Sequence, residues 1–215
     1  MKHFGHKNEP QIILTNEERI DLLDKIKKTI LLYPYVNILV KDIETNETLI
    51  KFGKNYNLID RFNTFYNPKE LFVSNCVRET LNAKEVLAIL YLNKTGDQTD
   101  HFQFIYVNGR YLEKCILHKA MNYIFQHSLI TQVSTENTNQ EMLYGVFFLN
   151  IRISNEIFLV HYDFFKNTII LNPDHYIIKA IARKLIQILS DERLLSQDIV
   201  DDESLLESVF HKITN

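Results

Sequence analysis

The stretch Phe102–Phe125, FQFIYVNGRYLEKCILHKAMNYIF, constrains the fold more than any other part of the chain. Phe102, Phe104 and Tyr106 alternate with Gln103, Ile105 and Val107, the period of two that a pleated, buried surface selects. Asn108-Gly109 follows, the pair best able to take φ > 0 without steric cost. From Leu112 the period changes. Leu112, Ile116, Leu117, Ala120, Met121, Ile124 and Phe125 recur at steps of three and four, which sets them on one stripe of a helix. Strand, tight turn and helix come as one rigid unit, with Arg110 at the joint.

The flanking sequence supplies further elements of both kinds. Thr15-Asn16-Glu17-Glu18 has the form of a capping box and predicts a helix with an apolar stripe at Ile20, Leu23, Ile26, Ile30 and Leu31, stopped by Pro34. Val36–Ile43 and Thr48–Phe52 read as a hairpin with Val36, Ile38 and Val40 on one face. Leu58–Tyr66 has helical spacing and ends before Pro68. Leu71–Arg78 and Glu85–Asn93 read as strands, the second bounded by the turn formers of Lys94–Asp97. Ser128–Glu141 is polar and aperiodic, the pattern of a mobile connection. Strands at Tyr144–Ile153 and Ile157–Tyr162, a loop at Asp163–Thr168 and a short strand to Leu171 come next. Asn172-Pro173-Asp174 opens a long amphipathic helix carrying Ile177, Ile178, Ile181, Leu185, Ile188 and Leu189. The last 25 or so residues read as a weak helix or a linker. Six or seven strands interleaved with three or four helices predict an α/β or α+β sandwich, with helices packed on a sheet.

Composition sets the outer bounds. A chain of 215 residues that is 46% hydrophobic can bury a proper core. Its formal net charge is −3, with 27 acids and 24 bases. Seven acids (Asp191, Glu192, Asp198, Asp201, Asp202, Glu203, Glu207) and two bases (Arg193, Lys212) follow Ser190, so subtraction leaves 20 acids against 22 bases before it. The body is slightly basic and the tail acidic, which permits a local basic groove. Two cysteines, Cys76 and Cys115, form no metal-type spacing and no disulfide framework, in keeping with a reduced intracellular compartment. No run approaches the ~18 residues of a membrane span, and the first ten residues lack the apolar core of a signal peptide. A soluble, non-secreted protein is the expectation.

Candidate chemistry is sparse. With five glycines in the chain there is no GxxxxGK[ST] and no GxGxxG loop, so no glycine-rich phosphate cradle. Cys115 and His118 lie three apart on a helix, but no second ligand pair has zinc spacing, and a structural role outweighs a metal site. His161 and Asp163 alternate on a strand without any nucleophile motif. Arg110, at the turn, can reach phosphate in a bidentate way or cap and pair locally as surface arginines do. Lys114 and Lys119 extend the same patch if the first alternative holds. Lys166 sits between hydrophobic strands, so its ammonium must reach solvent or an anion.

The segment FIYVNGRYLEKCILHKAMNYIF resembles the FVNxR strand, turn and helix of the MutL family of mismatch-repair proteins, in the domain that follows their ATP-binding domain. LYGVFFLNIRIS (Leu143–Ser154) and HYDFFKNTIIL (His161–Leu171) resemble the next strand of that domain and its lysine-bearing loop. The resemblance, carried by Val107, Asn108, Gly109 and Arg110, implies the ribosomal protein S5 domain 2-like fold of the GHKL ATPase transducer domain over residues 16–195, with a leader at 1–15 and an acidic tail or linker at 196–215. It implies contact with double-stranded DNA around Arg110, Lys114 and Lys119, and a Lys166 that reaches the γ-phosphate of ATP held, with magnesium, by an adjoining domain. The chain itself holds no cofactor in that picture. The family's His-Pro-x-Lys pattern is here Asp163-Phe164-Phe165-Lys166, which removes a φ restraint and sets an acid beside the ammonium. An acid at that position is similar to the MutL-gamma subunit, the MutL homologue three group, which implies a MutL paralogue as heterodimer partner, a nuclear location, no membrane, and a role in mismatch repair and meiotic recombination. The family's ATPase and endonuclease motifs are not in this sequence, so no complete active site is expected and the chain reads as one domain of a larger protein. An interaction module that binds a MutL paralogue without ATPase function, and the transducer domain of another GHKL ATPase such as a type II topoisomerase, are the alternatives.

Overall fold

A computed structural model describes residues 15–43, 45–66, 75–83, 86–132, 143–153, 161–163, 168–170, 176–196 and 201–214. The chain divides into two compact units, Met1–Tyr66 and Asn67–Asn215.

In the first unit, helix α1 spans Asn16–Ile30 and opens as predicted. The Thr15 hydroxyl accepts from the Glu18 N–H at 3.2 Å, and the Thr15 N–H donates to the Glu18 carboxylate at 2.8 Å. These bonds to Thr15 hold the Glu18 carboxyl below its usual pKa. Asp21–Lys25 and Asp24–Lys28 add one-turn ion pairs at 2.8 and 2.6 Å. Strands β1 (Ile38–Lys41) and β2 (Thr48–Phe52) form an antiparallel hairpin, with Asn46 at φ 55° in its turn. Helix α2 covers Leu58–Tyr66. Its Arg61 is fully enclosed and donates through Nη2 to the carbonyls of Pro34 and Val36, each at 2.7 Å, and of Tyr33 at 3.3 Å. The guanidinium thus takes up backbone acceptors in the stretch that follows α1.

The second unit is built on a five-stranded sheet in the order β3-β4-β7-β5-β6. Its strands are β3 (Cys76–Ala83), β4 (Val86–Asn93), β5 (Gln103–Val107), β6 (Arg110–Leu112) and β7 (Phe147–Ile153). The β5–β7 pairing is parallel and the rest antiparallel, so the sheet is mixed. Alternate residues of β4, β5 and β7 (Leu90 and Leu92; Ile105 and Val107; Leu149 and Ile151) face one common core with helices α3 (Ile116–Gln126), α4 (Tyr176–Asp191) and α5 (Asp202–Thr214). A separate two-stranded ribbon joins β8 (His161–Asp163) to β9 (Thr168–Ile170). Among the described residues, no helix is long and apolar enough to cross a membrane.

Several boundaries differ from the sequence reading. Leu112 belongs to strand β6, and α3 begins only at Ile116, because a two-residue turn returns the chain antiparallel to β5 before the helix starts. Strand β3 runs to Ala83, five residues beyond the expected end. The β7 ladder starts at Phe147, with Tyr144 forming an isolated bridge to Asp97. At Gly145 a Cβ would stand 2.4 Å from the Phe125 ring, so the chain passes there only as glycine. The connection after α3 begins firmly, since Ser128 is enclosed and its hydroxyl donates to the Phe125 carbonyl at 2.7 Å. The acidic tail is helix α5, whose Leu205, Leu206, Val209 and Ile213 join the core. Residues 1–14 of the leader, the Pro68 stop, Lys166 with its neighbours 164, 165 and 167, and the Asn172–Asp174 helix start lie outside the described residues.

Candidate nucleic-acid interface at the β5–β6 turn

Asn108 and Gly109 have φ of 49° and 81°, the paired positive values of a type I′ hairpin turn. Asparagine tolerates this region and glycine has no penalty there. The turn is also tied sideways. The Asn108 N–H donates to the Ile151 carbonyl at 2.8 Å. Its side-chain amide donates to the Ile153 carbonyl at 3.0 Å and accepts from the Ile153 N–H at 2.9 Å. The amide therefore extends the parallel β5–β7 ladder by one unit beyond the last strand residue. Arg110, which pairs with Val107 across the turn, starts from a backbone fixed on both sides and carries an exposed side chain.

The other sequence-predicted cations surround this turn in sequence but differ in setting. Lys114 lies before α3, not on it, and its ammonium stands 3.7 Å from Asp100, with both side chains well exposed. Such a pair adds little stability and leaves the charge available. Lys119 is exposed on α3. Lys166 lies outside the described residues.

Beneath this surface α3 is held by polar contacts that the sequence reading did not assign. Gln103 and Asn122 exchange amide hydrogen bonds at 2.6 and 3.0 Å, and Gln103 also donates to the Gly145 carbonyl at 3.1 Å. The one signal in the sequence was an amide in a strand otherwise apolar. His118 is buried, and its Nδ1 accepts from the Cys115 N–H at 3.2 Å, the role a glutamate plays in an ordinary capping box. Burial lowers the imidazole pKa to about 4, against a hydrogen bond to the Gln103 backbone that raises it. Burial likewise pushes the Cys115 thiol up. A neutral ring and a protonated thiol make this pair a helix cap. Among the described residues no group of three His, Cys, Asp or Glu could hold a metal ion.

No family model matches the sequence, and no curated protein does. Among solved structures the chain is similar to the N-terminal domain of a DNA repair protein, at 16% identity and a TM-score of 0.57 over 81% of this chain and 52% of that one. Overlap is shallower with the 43K ATPase domain of Thermus thermophilus gyrase B in complex with an aminocoumarin (8% identity, TM-score 0.42, 95% of this chain and 54% of that one). It is also shallower with the B-subunit of the DNA gyrase from Myxococcus xanthus (10%, 0.49, 92% and 55%). The chain spans about half the length of each. The fold is the mixed α/β type expected, with a mixed sheet, and it is similar to the fold of that DNA repair protein's N-terminal domain.

Proposed function

We propose that the chain is the transducer domain of a MutL-type mismatch-repair subunit, coupling the ATP state of an adjoining GHKL ATPase domain to DNA binding and dimer closure. The observation that carries this is the Asn108-Gly109 turn, clamped to β7 by the Asn108 amide so that Arg110 projects from a rigid base. A guanidinium carried on a fixed backbone suits phosphate, whose contacts position a duplex without reading its sequence. In the same reading Lys114 and Lys119 widen the basic surface, Lys166 reaches the γ-phosphate of ATP and magnesium held by the adjoining domain, and a MutL paralogue completes a nuclear heterodimer. The acid at Asp163 favours the MutL-gamma branch and its part in meiotic recombination.

Duplex-DNA binding by the chain across a salt series, beside Arg110→Glu, tests the reading. Affinity should fall steeply with salt, and the charge reversal should weaken it about tenfold at low salt while shallowing the slope by about 0.9 or more. Binding indifferent to Arg110 would remove the duplex contact from this turn. The absence of binding at low salt would favour the second reading, an interaction module for a MutL paralogue. The exposed apolar residues Ile20, Tyr35, Leu39, Ile43 and Tyr56 of the first unit support that second reading.

A further inference from the structure

Helices α3, α4 and α5 share a core with one face of the second unit's sheet, and the other face of that sheet is not uniform. Register puts Arg78, Tyr91, Phe148 and Phe104 in one row across β3, β4, β7 and β5, and Asn82, Leu87 and Arg152 in another across β3, β4 and β7. Toward β5 and β6 this face is closed: Phe104, Tyr106 and Phe148 are buried in a ring cluster with Tyr111. Toward β3 it is open, with Arg78, Thr80, Asn82, Leu87 and Arg152 exposed. Tyr91 lies at the boundary, edge-on to Phe148 with ring centroids 6.1 Å apart, so its ring is held by the closed half.

Charge on this face is one-sided. Strands β3, β4 and β7 contain a single acid, Glu79, and it faces the other way to pair with Lys184 of α4 at 3.1 Å. Lys94, Lys114 and Arg183 also meet carboxylates. Arg152 has no ion-pair partner among the described residues. Arg78 meets no carboxylate there; its Nε donates to the Tyr91 hydroxyl at 3.2 Å and its guanidinium carbon sits 5.8 Å from the Tyr91 ring centroid. The two arginines lie two strands and four residues apart in register, which at standard strand spacings is roughly 16 Å, enough to engage separate phosphates.

From this we infer that the open half of the sheet is a binding site for single-stranded nucleic acid. A guanidinium held by the hydroxyl of a fixed aromatic ring sets a cation and an aromatic face side by side, a pairing that suits an unpaired base and its phosphate. The amides of Asn82 and Asn150 and the Thr80 hydroxyl provide donors and acceptors for base edges. Arg152 takes the backbone beyond them. The site is independent of the duplex reading, because Arg110 shares a face with Val107, which points into the helix-side core.

The test is binding of a short fluorescent oligodeoxythymidine across a salt series, with melting temperatures recorded for each variant. Arg78→Glu with Arg152→Glu should weaken binding by about tenfold per arginine at low salt and shallow the log–log salt slope by about 1.4. Tyr91→Ala should weaken it roughly tenfold while Tyr91→Phe retains it. Arg152→Gln, a milder change, should lower the slope by about half as much as the double variant. Salt-dependent duplex binding should survive the double variant. Oligothymidine that does not bind at low salt, or an equal loss of duplex binding, would overturn the proposal. So would competition by polyglutamate as effective as that by unlabelled oligothymidine, which would reassign the face to an acidic peptide.

Discussion

Among the described residues, 86–213 supply every buried member of the main apolar core, whereas in residues 15–66 only Leu31, Ile50, Phe62 and Phe65 are buried among the hydrophobic side chains. The largest enclosed side chain of that first unit is an arginine. One unit is held mainly by area removed from water; the other adds directed bonds around Arg61 to a small aromatic cluster of Phe52, Phe62, Phe65 and Tyr66. The first is non-directional and tolerates small shifts; the second depends on a few donor–acceptor geometries, and a two-stranded ribbon with two short helices has little else to draw on. Removing apolar volume should therefore damage the second unit most, and removing the guanidinium should damage only the first.

Phe147→Ala is the strongest test of that contrast. The ring is fully buried, stacked on Phe125 at 5.7 Å and 6.3 Å from the His118 imidazole. Its loss should cost about 3–5 kcal/mol, the range for a large aromatic deleted from a packed core. Hydrogen exchange followed by mass spectrometry should show protection falling in α3, α4 and α5 and holding in α1 and α2. An equal fall in all five helices would mean that the two units unfold as one.

Acid should separate the units next. His118 has its folded pKa lowered to about 4 by burial, from an unfolded value of 6.5, so between those values the unfolded chain binds the extra proton. Stability from the neutral ring is fully present above pH ~6.5 and is lost as pH falls toward ~4, amounting to roughly 3 kcal/mol across the window. Unfolding of the second unit should follow this slope, and His118→Gln, which keeps an acceptor near the Cys115 N–H, should flatten it. A slope unchanged in the variant would assign the acid sensitivity to other groups.

Much of this contrast was legible in the sequence, and the reasons for the misses are physical. Thr15 with Glu18, the α2 stripe of Leu58, Phe62 and Phe65, and the α4 stripe from Ile177 to Leu189 are local patterns, and each lands where its period puts it. Strand β6 was missed because three residues, Arg110–Leu112, are too few to show a period, and Leu112 fits the helical stripe by spacing alone. Helix α5 reads in the sequence as a weak helix or linker although Leu205, Leu206, Val209 and Ile213 have helical spacing, since its acidic composition masks a stripe that only packing against α3 and α4 makes evident. At the candidate site the Asn-Gly turn was legible, because backbone φ > 0 is a local demand. The Asn108 clamp on Ile153 was not, because it joins residues 45 apart and has no sequence signature. The polar clamp at Arg61 was illegible for the same reason, its acceptors lying 25 to 28 residues upstream.

Arg61→Ala should have the smallest of the three effects, and its size sharpens the comparison. The two N–H bonds of Nη2, shared among three carbonyls, suggest a large loss, since a hydrogen bond from a charged donor is worth about 1.5–3 kcal/mol. Against this, among the described residues the buried guanidinium meets no carboxylate, and its Nε and Nη1 meet no acceptor. Burial lowers its pKa accordingly. Removing an enclosed, half-satisfied ion recovers part of its desolvation penalty, which runs to several kcal/mol. What remains is the cost of three carbonyls that lose their donor, offset wherever water can enter the space vacated. The expected net loss is about 2 kcal/mol, read as weakened exchange protection in α1, β1, β2 and α2 with the second unit unchanged. Arg61→Lys, which keeps the charge but can reach fewer acceptors at once, should fall between the two. If Arg61→Ala lowered protection in α3 or α4 as well, the first unit would not be a separate solution to burial but an extension of the second.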